Sequence, residues 1–414
     1  MSGSCTYDCS VRGPASLPDS DITGIGVTVN YIVTAGLSIL VITIYYLTVY
    51  EPSDDPFDKA EKETILSRCN PVDNLILGGV RSVARWLLKN LVGSDRVAHR
   101  LIVRIEKILI KVCFPCMGLL ASYGQTLRVS LHRLVLTLTL EKCILVMSDL
   151  QTVTGFAILV SGYTQLECGL SSLEWRAILD LAWFSYITQL SCLTVLQDHL
   201  YTHTFERFWR LLATGALATL LAVGLLLTGN PMWNIPGDSR PAICKLGCYE
   251  DYDYAVDISL SAFRTSIISA VFVMVAFISR VVRLHKFLKV RTLGQAIYWL
   301  DFQGRQLLWV LFKWFCTGES IYSLKRSLIY RPLFGIFVTL RLLFVSWASF
   351  AVEISWVCIG FSWGVYRLYL DLGDQSEFFN ASREDWTFGQ VVSVIMLMAP
   401  LISVIGAFND GKAL

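Results

Sequence analysis

Charged residues are scarce in this chain. Asp, Glu, Lys and Arg make up 16% of its 414 residues, against 54% hydrophobic ones. A soluble protein of this length could form a large core but would need a more charged surface. The formal net charge is only +2, which gives no reason to propose a nucleic-acid partner. Soluble-enzyme signatures are missing as well: there is no glycine-rich phosphate loop, no zincin pattern and no nucleophile elbow. The carboxylates do not pair into a diphosphate–magnesium motif, and no cofactor or metal is indicated. No repeated pore loop and no clear inverted repeat are present. A cleavable signal peptide is not expected either, because a polar prelude leads straight into a long apolar run without a short signal-like core.

What remains is apolar sequence in long runs, with a mean hydropathy of +0.54. Lipid acting as solvent explains that excess, so the expected fold is an all-α polytopic transmembrane bundle of about seven spans. The first run, Gly24 to Tyr50, is long enough to cross even with tilt. Others cover roughly 147–166, 176–198, 210–228, 257–281, 335–363 and 388–407. The second is interrupted at its start by Asp149 and Gln151, yet a helix packed inside the bundle is preferable to a lipid-facing loop there.

Basic residues set the expected orientation. Arg81, Arg85, Lys89, Arg96, Arg100 and Arg104 follow the first span, Arg207 and Arg210 follow the third, and Arg280, Arg283, Lys286, Lys289, Lys325, Arg326 and Arg331 follow the fifth. Seven spans place all three groups on one side, which positive-inside bias makes cytosolic. The organisation is then a lumenal or extracellular segment 1–23, a first span 24–50 and a cytosolic basic region 51–146. A central bundle 147–281 follows, with an outer cysteine loop at 229–256. A second cytosolic basic region 282–334, two last spans within 335–407 and a short cytosolic tail 408–414 complete it. Cys5, Cys9, Cys168, Cys244 and Cys248 fall outside, where disulfides persist, and Asn380-Ala381-Ser382 is a glycosylation sequon on the same side. The basic-apolar stretches 75–92, 97–120 and 299–315 suit cytosolic interfacial amphipathic helices on anionic lipid headgroups, or cations that merely anchor the bundle. The last of them could instead cross the membrane.

Candidate site residues are the ionisable ones inside apolar runs, each costly there unless paired. Asp180, Arg264 and Glu353 have similar depths and could form one polar centre, with Asp180 and Glu353 as candidate catalytic acids. Tyr163, Gln165, Trp183, Tyr186 and Gln189 could line a pocket, or simply bond helix to helix. Arg341 could face an inner vestibule or pair with Asp149. His199 and His203, with Glu206 close behind, have metal-compatible spacing but suit a solvated membrane end equally well.

Several runs resemble a widespread group of filamentous-fungal integral membrane proteins. They are TGFAILVSGYTQLECGLSSLEW (Thr154–Trp175), LAWFSYITQL (Leu181–Leu190), DITGIGVTVNY (Asp21–Tyr31) and WTFGQ (Trp386–Gln390). The resemblance implies a shared membrane scaffold, and the group's activity is too poorly defined to transfer. Thr28 stands where a basic residue is common, and Glu174 and Gln189 where histidine is common. Three functions follow as alternatives: binding or transport of a small amphipathic metabolite, an intramembrane isomerase or cyclase, and a receptor or scaffold. Whether the chain is an enzyme stays open at this level.

Overall fold

The computed structural model describes residues 20–50, 70–92, 125–166, 170–229, 256–285, 295–316, 331–373, 387–400 and 402. After a single turn at Ser20–Thr23, the described elements are all helices. They are α1 (Ile25–Thr48), α2 (Pro71–Val92), α3 (Gln125–Gln165), α4 (Ser172–Val195), α5 (Gln197–Thr202), α6 (Thr204–Leu227), α7 (Val256–Leu284), α8 (Gln295–Cys316), α9 (Arg331–Trp347), α10 (Phe350–Gly373) and α11 (Phe388–Met396).

Among the described residues, five segments are long and apolar enough to cross a bilayer: Asp21–Thr48, Thr139–Gln165, Ser172–Val195, Thr204–Leu227 and Phe263–Leu284. They coincide with the first five expected spans. The sixth expected span, 335–363, is not one straight helix. It breaks between α9 and α10 with a 79° bend, and counting that pair as one span raises the total to six. The seventh is a shorter apolar helix, Phe388–Pro400.

The chain divides into two compact units. The first comprises Met1–Tyr45, Leu134–Val281 and Trp356–Leu414, and its centre is α4. A capping box starts that helix: the Ser171 hydroxyl accepts from the Glu174 N–H (3.2 Å) while the Glu174 carboxylate accepts from the Ser171 N–H (2.8 Å). No glycine or proline interrupts the following 24 residues. At about 1.5 Å per residue they reach about 36 Å, enough to span. The apolar window of α4 is 100% buried in the protein. Trp175, Trp183, Phe184 and Tyr186 are the largest of its wholly buried side chains.

Two glycines let α10 approach α4. A Cβ on Gly360 would stand 2.7 Å from Ile187 and 2.9 Å from Phe272, and one on Gly364 would stand 2.6 Å from Trp183. This spacing, glycine at i and i+4 on an apolar helix, is the one that lets membrane helices touch backbone to side chain.

The second unit comprises Tyr46–Arg133 and Val282–Ser355. Here α2 starts on Asn70, whose side chain accepts from the Val72 N–H at 3.0 Å, with Pro71 at the first helical position where its missing N–H costs nothing. Helices α8 and α9 meet where Gly304 packs directly against the Phe337 ring, leaving no room for a Cβ. In contrast to α4, α9 buries none of its residues.

Candidate functional site

Asp180 lies on α4 and is 1% exposed. The cation that the fold brings to it is Arg367 of α10, whose Nη2 lies 2.9 Å from Asp180 Oδ1. The contact is an ion pair that is not aligned as a hydrogen bond. The Arg367 guanidinium also stands 5.8 Å from the Trp183 ring centroid, so one cation serves both a carboxylate and an aromatic face. Arg264 lies on an exposed face of α7. Glu353, 3% exposed, makes a short ion pair with Arg283 within the second unit. Asp180 and Glu353 thus each have a guanidinium of their own, which offsets a desolvation cost of several kcal/mol per ion. Asp149 is gripped by both terminal nitrogens of Arg210 at 2.6 and 3.2 Å, while Arg341 is exposed on α9.

The residues read as a pocket wall are engaged in helix-to-helix bonds. Tyr163 donates to the Leu220 carbonyl on α6 (2.7 Å), Trp183 to the Gly360 carbonyl on α10 (2.9 Å) and Tyr186 to the Val273 carbonyl on α7 (2.7 Å). A helical carbonyl that already accepts its own i+4 N–H keeps a second lone pair for such a bond. Gln189 joins α4 to α3: its amide donates to the Ser148 carbonyl at 2.6 Å and to Thr152, and its oxygen accepts from Ser148 at 2.9 Å. Beside it, Ser185 donates to Gln151 at 2.8 Å, and a Cβ on Gly155 would stand 2.9 Å from Ser185. Gln165 is apart from this group, exposed and bonded to Ser161 one turn back. Trp183 further stacks on Phe272 (5.6 Å) and Phe272 on Trp356 (4.7 Å).

Several residues that sequence reasoning passed over are central to the geometry. Asp73 is fully buried and accepts from five donors: Ser349 Oγ (2.7 Å), Phe350 N (3.1 Å), Ala351 N (3.1 Å), Tyr46 OH (3.2 Å) and Tyr50 OH (3.4 Å). It caps the start of α10 from another helix, with the positive end of the helix dipole facing the carboxylate. Asn70 holds the same elbow by donating to the Val345 carbonyl at 3.0 Å. No short-range pattern announces a cap supplied from residue 73 to residue 350. Glu174 was visible as Ser171-x-x-Glu174, and the Gly360/Gly364 pair as a small-residue repeat.

The runs at the two ends of the first unit meet. Gly26 N donates to Gln390 Oε1 at 3.4 Å, and a Cβ on Gly389 would stand 2.7 Å from Asp21 Oδ1. His199 lies 3.2 Å from Glu206 and stacks on His203 with ring centroids 4.4 Å apart. Among the described residues no group of three His, Cys, Asp or Glu could hold a metal. Cys5, Cys9, Cys168, Cys244, Cys248 and Asn380 lie outside the described residues. Cys143 and Cys192, in the candidate spans Thr139–Gln165 and Ser172–Val195, and Cys358 on α10 are free thiols.

No family model matches the chain, and no curated protein or solved structure matches it either.

Proposed function

We propose that this chain is a multi-pass membrane protein of the receptor or scaffold kind, with a first unit built as a fixed framework around α4. The observation that carries this reading is how the polar groups of α4 are used. Trp183, Tyr186 and Gln189 are 0%, 0% and 2% exposed, and each is bonded to a different neighbouring helix. A carrier needs such groups free to hold cargo and to exchange it between two sides. Here they hold helices together, the role that polar side chains most often take in a bilayer. Asp180 and Glu353, each set against a guanidinium, support the same assignment over an isomerase or cyclase. Kinship with the fungal membrane group, an outward amino terminus and cytosolic basic segments are part of the proposal and rest on the sequence alone.

Binding of a small amphipathic ligand is the second reading, and one observation favours it. Arg367 Nη1 is buried without a hydrogen-bond partner among the described residues. It stands on α10, whose outer face carries an open groove of about 430 Å³ lined by Cys358, Ile359, Ser362, Trp363 and Tyr366.

Cys192 on α4 is a native reporter that separates these readings. The full-length protein in liposomes is treated with a membrane-impermeant maleimide from each side, and modification is read peptide by peptide. A fixed framework leaves Cys192 unmodified until the protein is denatured. Modification of Cys192 in the folded protein from either side would establish a water path along α4 and return the chain to the carrier class.

A further inference from the structure

Helix α2 is packed at its start and bare beyond it. Asp73 and Leu77 are buried and Val72 and Ile76 half-buried, whereas Leu75, Val80, Val83 and Trp86 are exposed. The sequence of the helix is two-sided. Arg81, Arg85 and Lys89 recur every four residues and so share one stripe, while Val80, Val83 and Trp86, three residues apart, share another. The one acid, Asp73, is spent within the protein on five donors. From Asn74 to Val92 the helix holds those three cations and no acid, a formal charge of +3.

Where α2 begins is fixed. Asp73 accepts from Tyr46 OH at 3.2 Å and from Tyr50 OH at 3.4 Å. Tyr46 lies in the last turn of α1, and the segment that can cross a bilayer, Asp21–Thr48, ends just beyond it. The first turn of α2 is therefore tied to one end of a span, at the depth where headgroups meet hydrocarbon. Tyr46 and Tyr50, stacked 5.5 Å apart, are amphipathic rings that suit this depth.

Three courses lead away from that start. Down through the hydrocarbon, the helix would carry Arg81, Arg85 and Lys89 into the bilayer, and α2 is not among the described helices apolar enough to cross. Out into water, Leu75, Val80, Val83 and Trp86 would form a bare apolar strip about three turns long. Along the interface, both stripes are satisfied at once.

We infer that α2 lies in the headgroup layer of an anionic leaflet, with Val80, Val83 and Trp86 in the acyl boundary. The stripe of Arg81, Arg85 and Lys89 then runs against lipid phosphates and carboxylates. Charge complementarity selects the occupant. Three cations without an acid, beside an apolar strip at the end of a span, fit anionic lipid.

The test is site-specific photocrosslinking in the full-length protein. Benzoylphenylalanine replaces Val83 in one sample and Trp86 in another, in bilayers of equimolar phosphatidylserine and phosphatidylcholine. Adducts are read by mass spectrometry of the α2 peptide, which identifies the headgroup. The expected result is lipid adducts at both positions, with phosphatidylserine severalfold over phosphatidylcholine and the excess diminishing as salt is raised. Combining R81Q, R85Q and K89Q removes the excess, whereas R81K and R85K together retain it. Absence of lipid adducts at both positions overturns the inference, because the helix then stands in water. Equal adducts of the two lipids overturn it, as does an excess that survives the glutamine set or high salt. Crosslinks to a second copy of the chain in place of lipid would assign the face to a protein interface and overturn it as well. If the glutamine set fails to fold, the salt series on the natural cations still decides.

Discussion

Helices α4 and α9 are both apolar, yet α4 buries almost every residue and α9 none. Their compositions run opposite to the rule for soluble proteins. Of the five spanning segments, α4 is the least apolar and the one buried throughout. It carries Asp180, Ser185, Thr188, Gln189, Ser191 and Thr194 inside the protein. Apart from Arg341, the middle of α9 is Leu, Phe, Val and Ile, with Thr339 bonded to its own helix. Lipid tails are as apolar as leucine, so burying a leucine between membrane helices brings little gain over leaving it in lipid. Polar and small residues do gain, because their hydrogen bonds and close contacts have no counterpart in hydrocarbon. Along α4, polarity inside an apolar helix marks the protein interior.

The sharpest way to break that comparison is to strand a charge. Asp180→Ala leaves Arg367 buried without its carboxylate and is expected to cost about 3–5 kcal/mol, read as loss of thermal stability in detergent. Asp180→Leu with Arg367→Met should recover most of it, since a packed apolar pair commonly replaces a buried ion pair at little cost. Arg341→Ala on exposed α9 should change stability by less than about 0.5 kcal/mol.

Asp73→Ala comes next. It orphans buried donors at the start of α10 and should cost about 1–3 kcal/mol. Hydrogen exchange at Phe350 and Ala351 should accelerate, whereas exchange in α4 should not.

Overpacking gives an effect of similar or smaller size. Gly364→Leu drives a side chain into Trp183 and should cost about 1–3 kcal/mol by the same thermal measurement. Gly335→Leu on α9, where a Cβ meets nothing within 4 Å, should be neutral. Equal losses at the two glycines would dissolve the contrast between the helices.

The smallest effect is expected at Gln189. Replacing it by Leu removes bonds to Ser148 and Thr152 on α3 and should cost roughly 0.6–2 kcal/mol, within the range measured for interhelical hydrogen bonds. A double-mutant cycle with Ser148→Ala separates the interaction from the change in packing.

How much of this could be read from the chain follows from the same physics. The first five spans are legible because each is a long apolar run, and a run of that length has few other uses. The sixth is bent at Ala348–Ser349, where two helices abut without a proline to announce the break. The cap that sets the bend is Asp73, 276 positions from Ser349 along the chain. Asp180 was visible as a charge inside an apolar run, but its partner was not. Depth singled out Arg264, whereas the guanidinium that reaches Asp180 is Arg367, toward the end of α10. Depth along a helix can be read from sequence; rotation about its axis cannot. For the same reason Trp183, Tyr186 and Gln189 stood out as polar groups within spans, without showing that each would bond a neighbouring helix.

The central claim is that α4 is a dry hub bonded to its neighbours. The most direct measurement is a density map of the purified protein in lipid nanodiscs, at a resolution that shows lipid chains and ordered water. The account predicts α4 enclosed by protein, with Trp183, Tyr186 and Gln189 on helix partners and no lipid or water column against it. A continuous water-filled cavity or a lipid chain lying along α4 would contradict it.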